Sequence, residues 1–100
     1  MKYNKLVRDK IPEYVKKKGG RAVFHIANNK EYWQKLKEKF QEEVKEFSDD
    51  ENAEELADIL EVIDAIFDFK NFSKEEIEKI KNKKAEERGK FKDRIILDES

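Results

Sequence analysis

The chain has no cysteine, one proline (Pro12), three glycines (Gly19, Gly20 and Gly89) and one histidine (His25). Without thiols there is no disulfide framework, no thiolate metal site and no cysteine nucleophile. So little turn chemistry excludes an all-β domain, in which reversals recur about every 8–12 residues. No apolar run approaches the roughly 18 residues of a membrane-crossing helix, and no basic-then-apolar leader opens the sequence. An excess of one charge is missing too: 23 Lys and Arg face 24 Asp and Glu, a formal net charge of −1. A disordered polyelectrolyte needs high net charge as well as low hydrophobicity, so that class also falls away. What is present is very polar: 47% charged and 37% apolar, against about 25% charged in an ordinary domain. The expectation is one soluble, cytoplasmic, helical domain over residues 1–100. Its modest core invites partner subunits.

Balanced overall, the charge is segregated along the chain. Residues 1–22 are basic, with only Asp9 and Glu13 as acids; 38–68 are acidic, with only Lys39 and Lys45 as bases; 81–94 are basic again. Such a pattern lets positive flanks face a negative middle, or else reflects ordinary charge patterning on exposed helices.

Periodicity predicts four helices. The first runs from Arg8 or Asp9 to Lys18 through Ile11, Tyr14 and Val15, with Pro12 tolerated in its first turn and Gly19-Gly20 as the stop. The second spans about Glu31 to Phe47, capped by Asn28 or Asn29. The third runs from Ala53 to about Phe69 behind Asn52 as N-cap. The fourth starts at the Ser73…Glu76 capping-box pattern and ends at Arg88 before Gly89. Residues 22–27 form the one β-like run, with pairing left open, and the tail 91–97 has an extended pattern. The fold class is therefore an all-α bundle of about four helices with at most one short extended segment. The short polar break after Phe47 makes the second and third helices an antiparallel hairpin.

Five acids sit awkwardly on that hairpin. At about 100° per residue, with Leu36 at zero, Phe40, Phe47, Val44 and Tyr32 fill an apolar arc, and Glu43 lands near −20°, inside it. Glu46 lies on the flank near −80° and Glu42 further round near −120°. On the third helix, Glu55 falls near −100° from Leu56, at the edge of the apolar arc, with Asp58 one turn later. Chain reversal sets Glu46 level with Glu55 and Glu43 level with Asp58. Ionised carboxylates on a core-facing stripe are costly unless paired or metal-bound. With no His or Cys in the region, all-oxygen ligation favours Mg²⁺ or Mn²⁺. The plain alternative is that these are solvated acids, with Glu55 favoured by the helix dipole.

At these residues the sequence resembles the all-α nucleoside triphosphate pyrophosphatase (MazG-like) superfamily, which carries Glu-Glu-x-x-Glu on one helix and Glu-x-x-Asp on the next. Here they read Glu42-Glu43-Val44-Lys45-Glu46 and Glu55-Leu56-Ala57-Asp58. The opening Tyr3-Asn4-Lys5-Leu6-Val7-Arg8-Asp9-Lys10-Ile11-Pro12 and the closing stretch from Lys84 to Phe91, with Arg94-Ile95, look like its phosphoribosyl-ATP pyrophosphohydrolase-like or house-cleaning branch. The resemblance implies a MazG-like helical bundle, a homodimer or dimer of dimers, that cleaves a nucleotide between its α- and β-phosphates to a monophosphate and pyrophosphate. It implies Glu43, Glu46, Glu55 and Asp58 as Mg²⁺ ligands, with Glu42 orienting a ligand or water. The substrate base stays open.

Chemically, a carboxylate free of direct metal contact, Glu42 or Glu46, suits the role of proton acceptor from water. Lys5, Arg8 and Lys10 at one end, and Lys84, Arg88 and Arg94 at the other, are candidates for phosphate binding. His25 has no partner motif and receives no role. Trp33 and the seven Phe are expected in the core or at a subunit interface. Two rivals remain: a non-catalytic helical interaction module, and a nucleic-acid binder using the basic ends. The acidic middle and a sequence pI near 6.0 count against the second, so no stable nucleic-acid partner is expected.

Overall fold

The computed structural model describes residues 4–100, so Tyr3 of the opening motif lies outside the described residues. Four helices follow one another: α1 (Ile11–Lys17), α2 (Asn29–Asp49), α3 (Ala53–Lys70) and α4 (Lys74–Arg88). Their ends follow from local side chains. Asn28 Oδ1 accepts from the Glu31 N–H at 2.9 Å, and Asn52 Oδ1 from the Glu55 N–H at 2.9 Å. Ser73 Oγ accepts from the Glu76 N–H at 3.3 Å. Each satisfies one of the donors that a helix start leaves open. Asn71 closes α3 in the left-handed region at φ 57°, a conformation Asn tolerates better than most residues. The first helix starts at Ile11 rather than at Arg8 or Asp9, because Pro12 fits only its first turn.

Among the described residues there is no strand. The β-like run 22–27 and the tail 91–97 are irregular. Val23 and Ile26 stand more than four-fifths exposed, without a neighbouring strand to pair with.

The helices α2 and α3 form the closely packed pair. Trp33 near the start of α2 stacks on Phe69 near the end of α3, with ring centroids 5.6 Å apart and planes 6° apart; Tyr32 meets the same ring edge-on at 5.3 Å. Start against end makes the hairpin antiparallel. Trp33, Leu36, Phe40, Glu43 and Phe47 on α2, and Glu55, Ile59, Val62, Ile66 and Phe69 on α3, are all at least half-buried. Alternating steps of three and four make both sets a coiled-coil-like seam. Two of its positions, near the loop, are glutamates.

This seam departs from the expected face of α3. Hydropathy centres the apolar arc on Leu56, Leu60, Ile63 and Phe67, yet α3 turns its acid-bearing edge to α2. Leu56 and Leu60 remain 46% and 57% exposed. The arc is wider than one neighbouring helix can cover. Among the described residues, only Leu36, Ile59 and Val62 are buried apolar side chains, and of these Leu36 alone is fully buried. The Cα radius of gyration is 18.0 Å, where a compact 100-residue domain has about 13 Å. Among the described residues, no helix is long and apolar enough to cross a membrane.

Candidate metal centre

The loop end of the hairpin gathers the acids. Glu43 occupies a seam position and is 6% exposed. Its Oε1 takes a 3.2 Å contact from the Lys39 ammonium one turn earlier on α2. Its Oε2 is buried with no hydrogen-bond partner among the described residues, and the same is true of Glu55 Oε2. Glu55 owes its place to the Asn52 cap, which starts α3 three residues before it. Asp58, one turn on, is half-buried and accepts from Arg8 Nη2 at 2.8 Å. One carboxylate oxygen each from Glu43, Glu55 and Asp58 lies within 4.8 Å of the others.

Three carboxylates and no nitrogen or sulfur donor make a hard, all-oxygen ligand set. Octahedral ligands at about 2.1 Å from Mg²⁺ stand about 3–4 Å apart, so side-chain rotation over an ångström or two closes the set around an ion. Two buried carboxylate oxygens without donors are what such an ion would satisfy. The residues present therefore fit a divalent cation.

The electrostatics agree with a site that has surplus negative charge. Glu46 is exposed at the rim, and the Glu43 side chain beside it pushes its carboxyl above the ordinary range; loss of water and the charges of Glu42 and Glu55 add to this. Glu55 is raised chiefly by desolvation, then by the charges of Asp58, Glu43 and Asp50. Glu42 goes the other way. Its hydrogen bond from Lys5 Nζ at 3.0 Å holds its carboxyl low, helped by Lys39, and Glu42 in turn raises Lys5. With every group ionised, Glu42, Glu43, Glu46, Glu55 and Asp58 outweigh Lys5, Arg8 and Lys39 by two charges, the charge of one divalent ion.

The structure brings Glu43, Glu55 and Asp58 together, with Glu46 against Glu43 and Glu55 but outside the three-oxygen set. It brings Lys5 and Arg8 to the cluster, each on a carboxylate. Lys10 precedes α1 as its N-cap residue, Lys84 and Arg88 ride on α4, and Arg94 lies in the tail at φ 56°. None of these four forms an ion pair among the described residues. Lys39 is the residue the sequence reading passed over, counted only as a stray base in an acidic run. Its spacing to Glu42 and Glu43, three and four residues, was the available signal. His25 pairs with Glu31 at 2.8 Å beside the α2 cap, away from the acids.

A hollow of about 640 Å³ lies toward the start of α2 along Asn28, Lys30, Glu31, Trp33 and Gln34, and holds none of the clustered acids. Comparison with known proteins returned no matching family model, curated protein or solved structure.

Proposed function

We propose that this chain is a Mg²⁺-dependent nucleotide pyrophosphohydrolase, releasing a nucleoside monophosphate and pyrophosphate from a triphosphate. The resemblance of its acidic motifs to the MazG-like superfamily suggests that reaction, and house-cleaning of non-canonical nucleotides as its use. The observation that carries it is a cluster in which one carboxylate oxygen each from Glu43, Glu55 and Asp58 lies within 4.8 Å of the others, while Glu43 and Glu55 each keep a buried oxygen without a hydrogen-bond partner among the described residues. Lys39 meets only one of the two Glu43 oxygens, and a buried carboxylate oxygen left without a donor is costly, so a fold that keeps one has a use for it.

Glu43, Glu55 and Asp58 would hold the ion, and Glu46, beside Glu43 but outside that set, is left free of it. When bound, Mg²⁺ supplies neutralising charge and Lewis acidity to the phosphate oxygens. The remaining work falls to side chains. Water adds its oxygen to phosphorus, the bridging P–O bond breaks, and a carboxylate takes the proton. Glu46 is the better acceptor of the two candidates. Glu42 is held low by Lys5 and Lys39, whereas no cation pairs with Glu46 among the described residues. Arg8 and Lys5 sit close enough to the acids to meet the phosphates that come with the ion.

The working unit in this reading is a homodimer. The chain exposes 9630 Å², where a compact monomer of 12.0 kDa exposes roughly 6,000 Å². The Leu56–Leu60–Ile63–Phe67 stripe has a 4-3-4 spacing that reads alike in both directions, so two antiparallel copies of α3 bring apolar side chains face to face.

A panel of normal and damaged nucleoside triphosphates, with phosphoribosyl-ATP, assayed for pyrophosphate with and without Mg²⁺, tests the proposal. Release from at least one of them, lost on Mg²⁺ removal and in Glu43→Gln, is the expected result. No turnover of any, together with unchanged stability in Mg²⁺, would favour the helical interaction module, for which the exposed α3 stripe is the supporting observation.

A further inference from the structure

Residues 4–10 lie against the acidic cluster and deliver to it the two cations that, among the described residues, come from outside the hairpin. Lys5 Nζ donates to Glu42 Oε1 on α2 at 3.0 Å, and Arg8 Nη2 donates to Asp58 Oδ1 on α3 at 2.8 Å. The partners are 37 and 50 residues away in sequence, so neither pair is the routine self-pairing of a helix surface. One short segment without regular structure thus puts a cation on each wall of the site. Both side chains are more than half exposed, 53% for Lys5 and 60% for Arg8. Water screens such pairs, and they are individually weak. Arg8 holds the very carboxylate that, with Glu43 and Glu55, makes the three-oxygen set.

We propose that Lys5 and Arg8 are exchangeable counter-ions. They neutralise the cluster while it is metal-free, Arg8 gives up Asp58 when a divalent ion enters, and both then turn to the anionic phosphates of the incoming ligand. This rests on the metal reading above and adds an order to it, ion first and polyphosphate second. Guanidinium and divalent ion compete for one carboxylate, so Arg8 lowers affinity for the ion alone. A forked guanidinium also suits phosphate oxygens, so once polyphosphate is present the same residue favours the complex. Ion and polyphosphate therefore strengthen each other's binding, with Arg8 as the coupling group.

The test is Mn²⁺ binding to the full chain, followed by the spin-resonance signal of free Mn²⁺, with and without inorganic tripolyphosphate. Wild type, Arg8→Gln, Arg8→Lys and Glu43→Gln are compared, and circular dichroism checks that each is folded. The expected result is that Arg8→Gln binds Mn²⁺ alone about fivefold tighter, the size of one screened ion pair, and binds tripolyphosphate in the presence of Mn²⁺ more weakly. Arg8→Lys, which keeps a point charge and loses the fork, should hold Mn²⁺ like wild type and tripolyphosphate less well. Equal or weaker Mn²⁺ binding by Arg8→Gln, with wild type binding and Glu43→Gln not, overturns the exchange and leaves the metal centre standing. No Mn²⁺ binding by wild type and Arg8→Gln alike overturns both.

Discussion

Among the described residues, the Glu43 carboxylate combines burial at a packing position, a single cation partner in Lys39, and one oxygen with no donor. Leucine there would extend the apolar seam and remove the desolvation cost. In metal-free buffer Glu43→Leu should therefore stabilise the protein by about 1 kcal/mol, roughly 4–8 °C in Tm for a chain of this size, while abolishing pyrophosphate release. A thermal melt beside an activity assay checks both. Glu46 and Glu55 carry a pH signature. Their folded-state pKa values lie above the ordinary carboxyl range, so their contribution to stability is present below that range and is lost as pH rises through the folded values. Glu42 is depressed, so its contribution is present above the ordinary range and is lost as pH falls through the folded value. Glu46→Gln should accordingly stabilise the metal-free protein near neutral pH, and the gain should vanish below about pH 4. Denaturant melts across pH read this directly. A gain that grows as the solution is acidified would contradict the assignment.

The α3 helix turns local chemistry into site geometry. Asn52 caps it and, three residues on, Glu55 takes its place at the seam. Asn52→Ala should cost about 1 kcal/mol of stability and also weaken Mg²⁺ binding, since fraying the first turn displaces a ligand; calorimetric titration separates the two effects. Helix existence, the starts of α3 and α4 and the end of α4 were legible in the sequence because Asn52, Ser73 and Gly89 act locally, whereas the start of α1 and the last turn of α2, which runs on to Asp49, were not. Glu43 was legible because one wrong residue in an apolar arc is visible from spacing alone. The face that α3 offers to α2 was not. Its apolar arc includes Leu56 and Leu60 as well as Ile59, and periodicity does not say which edge meets a helix of the same chain. The pairing of Lys5 and Arg8 with Glu42 and Asp58 was hidden for another reason: contacts 37 and 50 residues apart depend on how an irregular segment crosses the hairpin.

As a whole, the molecule buries little and exposes much. Among the described residues, Leu36, Ile59 and Val62 make a small core, and small cores rarely supply enough stability alone. A second copy seated on the α3 stripe would supply what is missing. Leu60→Lys should then shift the protein from dimer to monomer in analytical ultracentrifugation and lower its Tm; an unchanged sedimentation coefficient would argue that the stripe serves another partner. The proposed metal ligands belong to a single hairpin, so ion binding can be read whichever oligomer forms. Thermal unfolding of wild type and Glu43→Gln in rising Mg²⁺ or Mn²⁺ tests it most directly. A ligand that binds only the folded state stabilises it by about 2.7 kcal/mol at a hundredfold excess over Kd, so the wild-type Tm should climb with metal concentration and the variant's should stay flat. A wild-type Tm indifferent to both ions, at pH 7 and low salt, would contradict the account.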